Sequence, residues 1–168
     1  MQPDENSDEA RVSDAMRPLH PNQLWLLRIR TIVSMLALLG IALAFDAGPL
    51  RDTGLRPGLV PGLAALLGLV AILWLPGRRY RAWGYCEDEE ELHVRHGLLV
   101  RVRTIVPFGR VQHIDLAQGP VERSFGIATL ILHTAGTRGS AVRLPGLARN
   151  EAEKMRDRIR HRIRQEFV

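Results

Sequence analysis

The sequence predicts a two-helix transmembrane hairpin carrying a small all-β module that a C-terminal helix closes. Three observations predict it. Apolar residues crowd between positions 29 and 76 while charge dominates both ends, although mean hydropathy over the 168 residues is an unremarkable -0.05. Residues 57–76 run for 20 positions without an ionisable side chain. Beyond residue 81 the apolar period changes from helical to alternating.

Taken in order, residues 1–20 read as a disordered acidic tail. Asp4, Glu5, Asp8, Glu9 and Asp14 face only Arg11 and Arg17, and the segment lacks the basic start and apolar core of a signal peptide. The hairpin is placed at residues 21–79, with spans at about 29–48 and 57–76, near the ~20 residues that a bilayer core requires. In the first span, residues 31–45 (TIVSMLALLGIALAF) carry no charge, Arg28 and Arg30 can snorkel, and Trp25 suits the headgroup belt. In the second (PGLVPGLAALLGLVAILWLP), Pro57 and Pro61 are expected in the first turns and Pro76 at the stop. Gly58 with Gly62, and Gly40 with Ala44, offer small-residue spacings for close helix approach. Arg28 and Arg30 precede the first span and Arg78, Arg79 and Arg81 follow the second. Both termini are therefore expected in the cytoplasm of a bacterial cell, with a multi-pass protein in the plasma membrane.

Residues 80–168 form the cytoplasmic module. Leu92 and Val94 alternate with His93 and Arg95, and His96-Gly97 is expected to turn into a strand over residues 98–106. Residues 111–116 and 128–134 are further strands, and residues 135–139 a hairpin loop into residues 140–144. Such short strands, broken by Gly or Pro, indicate an antiparallel sandwich or small barrel. For the last helix, Asn150 is the expected N-cap with Glu153 as its capping-box partner. Ala152, Met155, Ile159, Ile163 and Phe167 make a narrow apolar stripe, opposite arginines that face solvent or bilayer.

The ordered motifs Gly97-Leu98-Leu99, Val106-Pro107, Arg110-Val111-Gln112, Gln118-Gly119-Pro120, Arg123-Ser124-Phe125-Gly126-Ile127-Ala128 and Thr134-Ala135-Gly136 resemble the membrane-associated class of bacterial pleckstrin-homology-like (PH-like) domains. The resemblance covers roughly residues 80–165. It implies a seven-stranded, partly open barrel capped by the C-terminal helix, commonly preceded by two transmembrane helices, and no catalytic activity. Gly97, Pro107, Arg110, Gln112, Gly119, Pro120, Arg123, Gly126 and Gly136 then serve as fold motifs. Gly119, Gly126 and Gly136 suit positive φ, and Pro107 and Pro120 suit strand ends.

Chemistry is sparse. His93 and His96 at a strand end and turn do not converge as helical ligands would, and His113 and His133 lie on other strands without a cysteine pair, so no metal or cofactor is expected. The lone Cys86 permits no intramolecular disulfide and sits beside an acidic run, residues 87–91, which would disfavour its thiolate. That run reads as a solvated loop, with cation binding as the lesser reading. No phosphate-binding loop or nucleophile elbow occurs. Net charge is +5, and 22 of 23 basic residues are arginine, Lys154 being the exception. Nucleic acid is not an expected partner, because exposed aromatics do not interleave with the basic residues. Arg95, Arg101, Arg103, Arg110, Arg156, Arg160 and Arg164 are the candidate binding residues; solubility and positive-inside topology are the plainer reading of the same charges. The expected function is a non-catalytic, membrane-anchored interaction module. Its partner would be a membrane protein, a related PH-like chain or another copy of itself. The alternative is binding of anionic lipid headgroups, at about 1 kcal/mol per surface arginine.

Overall fold

The computed structural model describes residues 15–49, 54, 56–135 and 141–166. It divides into two compact units: Leu24–Tyr80, and a second in which the residues up to Gln23 join those from Arg81 onward.

In the first unit, α1 (Asn22–Ala47) and α2 (Leu59–Arg81) have 26 and 23 residues. At about 1.5 Å per residue, either exceeds the ~30 Å hydrocarbon core. Only 17% of each helix's most apolar window is buried. The core helix of a water-soluble protein would hide that surface, so length, composition and exposure make both helices candidate membrane spans. Pro76 does not stop α2, which continues to Arg81. Neighbouring chain, or a local adjustment of the helix, can satisfy the carbonyl that a proline releases inside a membrane helix. Pro57 precedes the helix, and only Pro61 lies in its first turn, where the missing N–H costs least. Gly58 is also outside the helix, its N–H donating to the Asp46 carboxylate at 2.9 Å. The expected small-residue contacts are not used: nothing lies within 4 Å of a Cβ built at Gly40 or Gly62, whereas at Gly68 it would touch Met35 at 3.5 Å. Arg28 lies over the Trp25 ring at 4.9 Å and Arg78 over Trp74 at 4.1 Å, at the charged end of each helix.

The second unit holds two antiparallel sheets. The first is β1 (Gly84–Glu87), β2 (Glu91–His96) and β3 (Val102–Pro107), in that order. A 3-10 turn, Phe108–Arg110, leads into the second: β4 (Val111–Ala117), β5 (Ile127–Thr134) and β6 (Ala141–Ala148). Two three-stranded sheets therefore stand where seven strands were expected, and the barrel is not closed. β3 starts later than alternation suggested, because Gly97 adopts φ +107° and a Cβ there would strike the Val100 carbonyl, leaving residues 97–101 as a tight loop. The expected loop at 135–139 lies largely outside the described residues, as does Gly136.

Between β4 and β5, Pro120 occupies the first position of a short helix, α3 (Pro120–Ser124), not a strand end. Gly119 is extended at φ -73°, not left-handed as expected, and its N–H donates to the Glu122 carboxylate at 2.8 Å. Gly126, at φ +65°, follows that helix as anticipated. The last helix, α4 (Arg149–Glu166), already includes Asn150, so Asn150 is no cap, and Glu153 instead accepts from Arg149 Nε at 3.0 Å. Ala152, Met155 and Ile159 are buried, on the helix that packs over the second sheet and the 3-10 turn. Phe167 lies outside the described residues.

Residues 16–20, placed by sequence in the acidic tail, and 21–23, placed in the hairpin, belong structurally to the module. Arg17 and Tyr85 exchange two backbone hydrogen bonds, at 2.7 and 3.1 Å, on the outer edge of β1. The His20 N–H donates to the Gly146 carbonyl of β6 at 2.8 Å, and Asn22 Nδ2 to the Phe125 carbonyl at 2.7 Å. Leu19, flanked by Pro18 and Pro21, is 2% exposed. The prolines favour extended backbone, and an apolar side chain between them gains by burial. This strap joins both sheets. Residues 1–14 of the expected tail lie outside the described residues.

Gly146 makes the strap possible: its φ is +69°, and a Cβ would come within 2.7 Å of Gln23. Gly146→Ala should therefore destabilise the detergent-solubilised protein by about 1–3 kcal/mol in thermal unfolding, from clash and left-handed strain together. Gly62→Ala, in an open helical position, should be neutral or slightly stabilising. Equal melting behaviour of the two variants would contradict this account of the strap.

Candidate functional site

The anticipated arginines separate into two surfaces. On the first sheet, alternation buries Leu92 and Val94 and turns His93 and Arg95 outward. Arg95 pairs in register with Arg103 of β3, and Arg101 lies two residues before Arg103 in the exposed loop. Three arginines thus share one end of this sheet. Like charges in register repel, so the arrangement favours an anion nearby. Arg95 also reaches over Gly84, where a Cβ would meet its guanidinium at 3.5 Å.

The second surface lies along α4. Arg160 and Arg164 are exposed, and with Ile163 they border a groove of about 360 Å³ whose other wall is Val111–Ile114 of β4, including the motif residue Gln112. Arg156 is spent on its neighbour Asp157, at 2.9 Å. Arg110 is exposed on the 3-10 turn, where its carbonyl accepts from the Ala135 N–H. Pro107 ends β3, and Arg123 is exposed on α3.

Two helix arginines do not face solvent alone, and the acidic run is not a purely solvated loop. Arg158 grips Glu87 with two nitrogens, Nε at 2.9 Å, and Arg162 donates to the Glu89 carbonyl. The paired carboxylate of Glu87 holds the Arg158 guanidinium above its ordinary pKa. Beside this contact, the buried Tyr85 hydroxyl donates to Glu151 Oε1 at 2.9 Å. Burial, then the Glu151 carboxylate, pushes the phenol far above its ordinary pKa. Burial, then Asp88, raises the Cys86 thiol too, which disfavours a reactive thiolate.

The histidines behave differently by pair. His93 sits 3.6 Å from Glu91 and His96 stacks on Trp83 at 4.9 Å, so they do not converge. His113 and His133, expected to be independent, are register partners that flank Asp115 at 2.7 and 3.1 Å. Only strand register could have revealed that cluster, which carries no local sequence signal. Among the described residues no group of three or more such side chains is arranged to hold a metal ion.

The two apolar helices, the paired sheets and the capping helix define a bacterial PH-domain membrane protein, and the chain belongs to the bacterial PH domain family, which matches residues 29–163. Over 101 residues it is 39% identical to the UPF0699 transmembrane protein YdbS of Bacillus subtilis (strain 168), covering 60% of this chain. The match spans 62% of that relative's length. No solved structure matches the chain.

Tyr85 supplies a pH test. Its pKa is raised on folding, so the folded protein keeps a proton that the unfolded chain loses above about pH 10, and stability should fall as pH climbs past that value. Tyr85→Phe should cost about 1 kcal/mol at neutral pH while flattening the alkaline loss. Unfolding in detergent at pH 8 and pH 11 measures both; identical alkaline slopes would refute the assignment.

Proposed function

We propose that the chain is a non-catalytic, multi-pass plasma-membrane protein with both termini in the cytoplasm. Its PH-like domain is presented to a second membrane protein: a related PH-like chain or another copy of itself. The arginines at the start of α1 and the end of α2 support the orientation. The strap supports it independently, because residues before α1 and after α2 build one domain.

The observation that carries the partner reading is the outer edge of β3. Among the described residues this strand pairs on its β2 side alone, and it exposes Ile105 by 55%. An open strand edge is a template for an added strand. Binding of anionic headgroups is the second reading, favoured by Arg160 and Arg164, which make no hydrogen bond or ion pair among the described residues.

A photo-crosslinking residue at Ile105, expressed in native membranes, should yield one discrete adduct with a protein carrying a PH-like domain. Val102→Asp should weaken the adduct several-fold. Absence of any protein adduct from a correctly inserted chain would overturn the partner reading, and adducts to lipid alone would favour the second.

A further inference from the structure

The loop between β2 and β3 spends no side chain on the core. Leu99 is 95% exposed, and Leu98 and Val100 are exposed beside it. They are not collapsed onto the sheet, because Gly97 turns the chain through a left-handed conformation that no Cβ would fit. The apolar tip is therefore held outward by the backbone. Arg95, Arg101 and Arg103 surround its base.

Register locates this tip relative to Trp83 and Gly84, the chain that follows α2. β1 begins three residues after the end of α2, and Gly84 pairs with Arg95. Trp83 stacks on His96, the last residue of β2. The loop thus starts one strand spacing, ~4.8 Å, from chain that has just left α2. From Arg78, at the charged end of the apolar span, to Trp83 the chain covers at most ~11 Å. The β1–β2 loop at residues 88–90 occupies the opposite end of the same sheet. One end of the sheet is acidic and paired to α4; the other is apolar, ringed with arginine, and is the end at which β1 begins.

We propose that Leu98, Leu99 and Val100 insert into the interface of the bilayer that holds α1 and α2, with Arg95, Arg101 and Arg103 on anionic headgroup phosphates. Apolar side chains at a turn ringed by cations suit the boundary between acyl chains and anionic headgroups. Guanidinium groups suit phosphate, offering paired donors in a plane. The loop adds a third membrane contact to the two helices and limits how the module can turn about its tether. The headgroup-binding reading stands on Arg160 and Arg164 of α4; the inference goes beyond it with a second surface and apolar insertion, and the two fail separately.

The test uses the full chain in nanodiscs, with Cys86→Ser as background and an environment-sensitive fluorophore attached through Leu99→Cys or, as control, Glu90→Cys. In bilayers with anionic lipid, the probe at 99 should be blue-shifted, quenched several-fold more by spin-labelled acyl chains than the probe at 90, and shielded from iodide. Arg101→Glu with Arg103→Glu should abolish the difference, and purely zwitterionic lipid should reduce it. Equal iodide access at both positions would overturn the proposal. So would shielding at 99 that appears only at high protein density without acyl-chain quenching, since that is burial against another protein. If the isolated loop end is wet but the module's cross-linking to anionic headgroups through other arginines persists, insertion is refuted and headgroup binding stands.

Discussion

The strap from Arg17 to Gln23 is the constraint on which the second unit depends. It exchanges a backbone pair with β1, donates to the carbonyl of Gly146 in β6, and reaches Phe125 through Asn22. Among the described residues the two three-stranded sheets share no ladder of their own. Contacts of the strap with both, together with α4 over the second sheet and its grip on the β1–β2 hairpin, make one body of them. Each strap bond alone is modest, about 1 kcal/mol net. Their cooperation lies in geometry: Leu19 is buried only if the chain on both sides of it is held.

Charge in this protein does two jobs that composition cannot separate. Arg158 and Arg162 neutralise and order an acidic hairpin, and Arg149 and Arg156 take carboxylates on their own helix. The arginines of the first sheet and the outer pair on α4 are turned elsewhere. Exposed ion pairs contribute little individually, so the Arg158–Glu87 contact matters chiefly as a positional link between α4 and β1. The net positive balance is what remains after that internal use.

Some of this architecture is readable in the sequence and some is not. The uncharged 20-residue run, the strand at β5 and the apolar stripe of α4 are local patterns. The run supplies most of α2, shifted toward Arg81, β5 lies within a residue of its expected start, and Ala152, Met155 and Ile159 of the stripe are buried. The strap and β1 are not local: a four-residue strand and a single bridge acquire their meaning from chain far away. The two classes of arginine are likewise indistinguishable, because pairing with residues 87–89 depends on how α4, packed on the second sheet, meets the β1–β2 hairpin. His113 and His133 meet through register alone. Apolar residues 98–102 looked like the start of a strand because alternation does not register that Gly97 has already turned the chain.

The strap also orders events during synthesis. Asn22, the first residue of α1, leaves the ribosome before the rest of both apolar helices, yet its partner Phe125 lies 103 residues further on. The segment must wait, unpaired, while both helices and most of the β-strands are translated. Closing so long a loop comes late and slowly relative to helix formation. Maturation of the domain therefore awaits synthesis of both helices and the first four strands, and until then Leu19 has no completed surface to pack against.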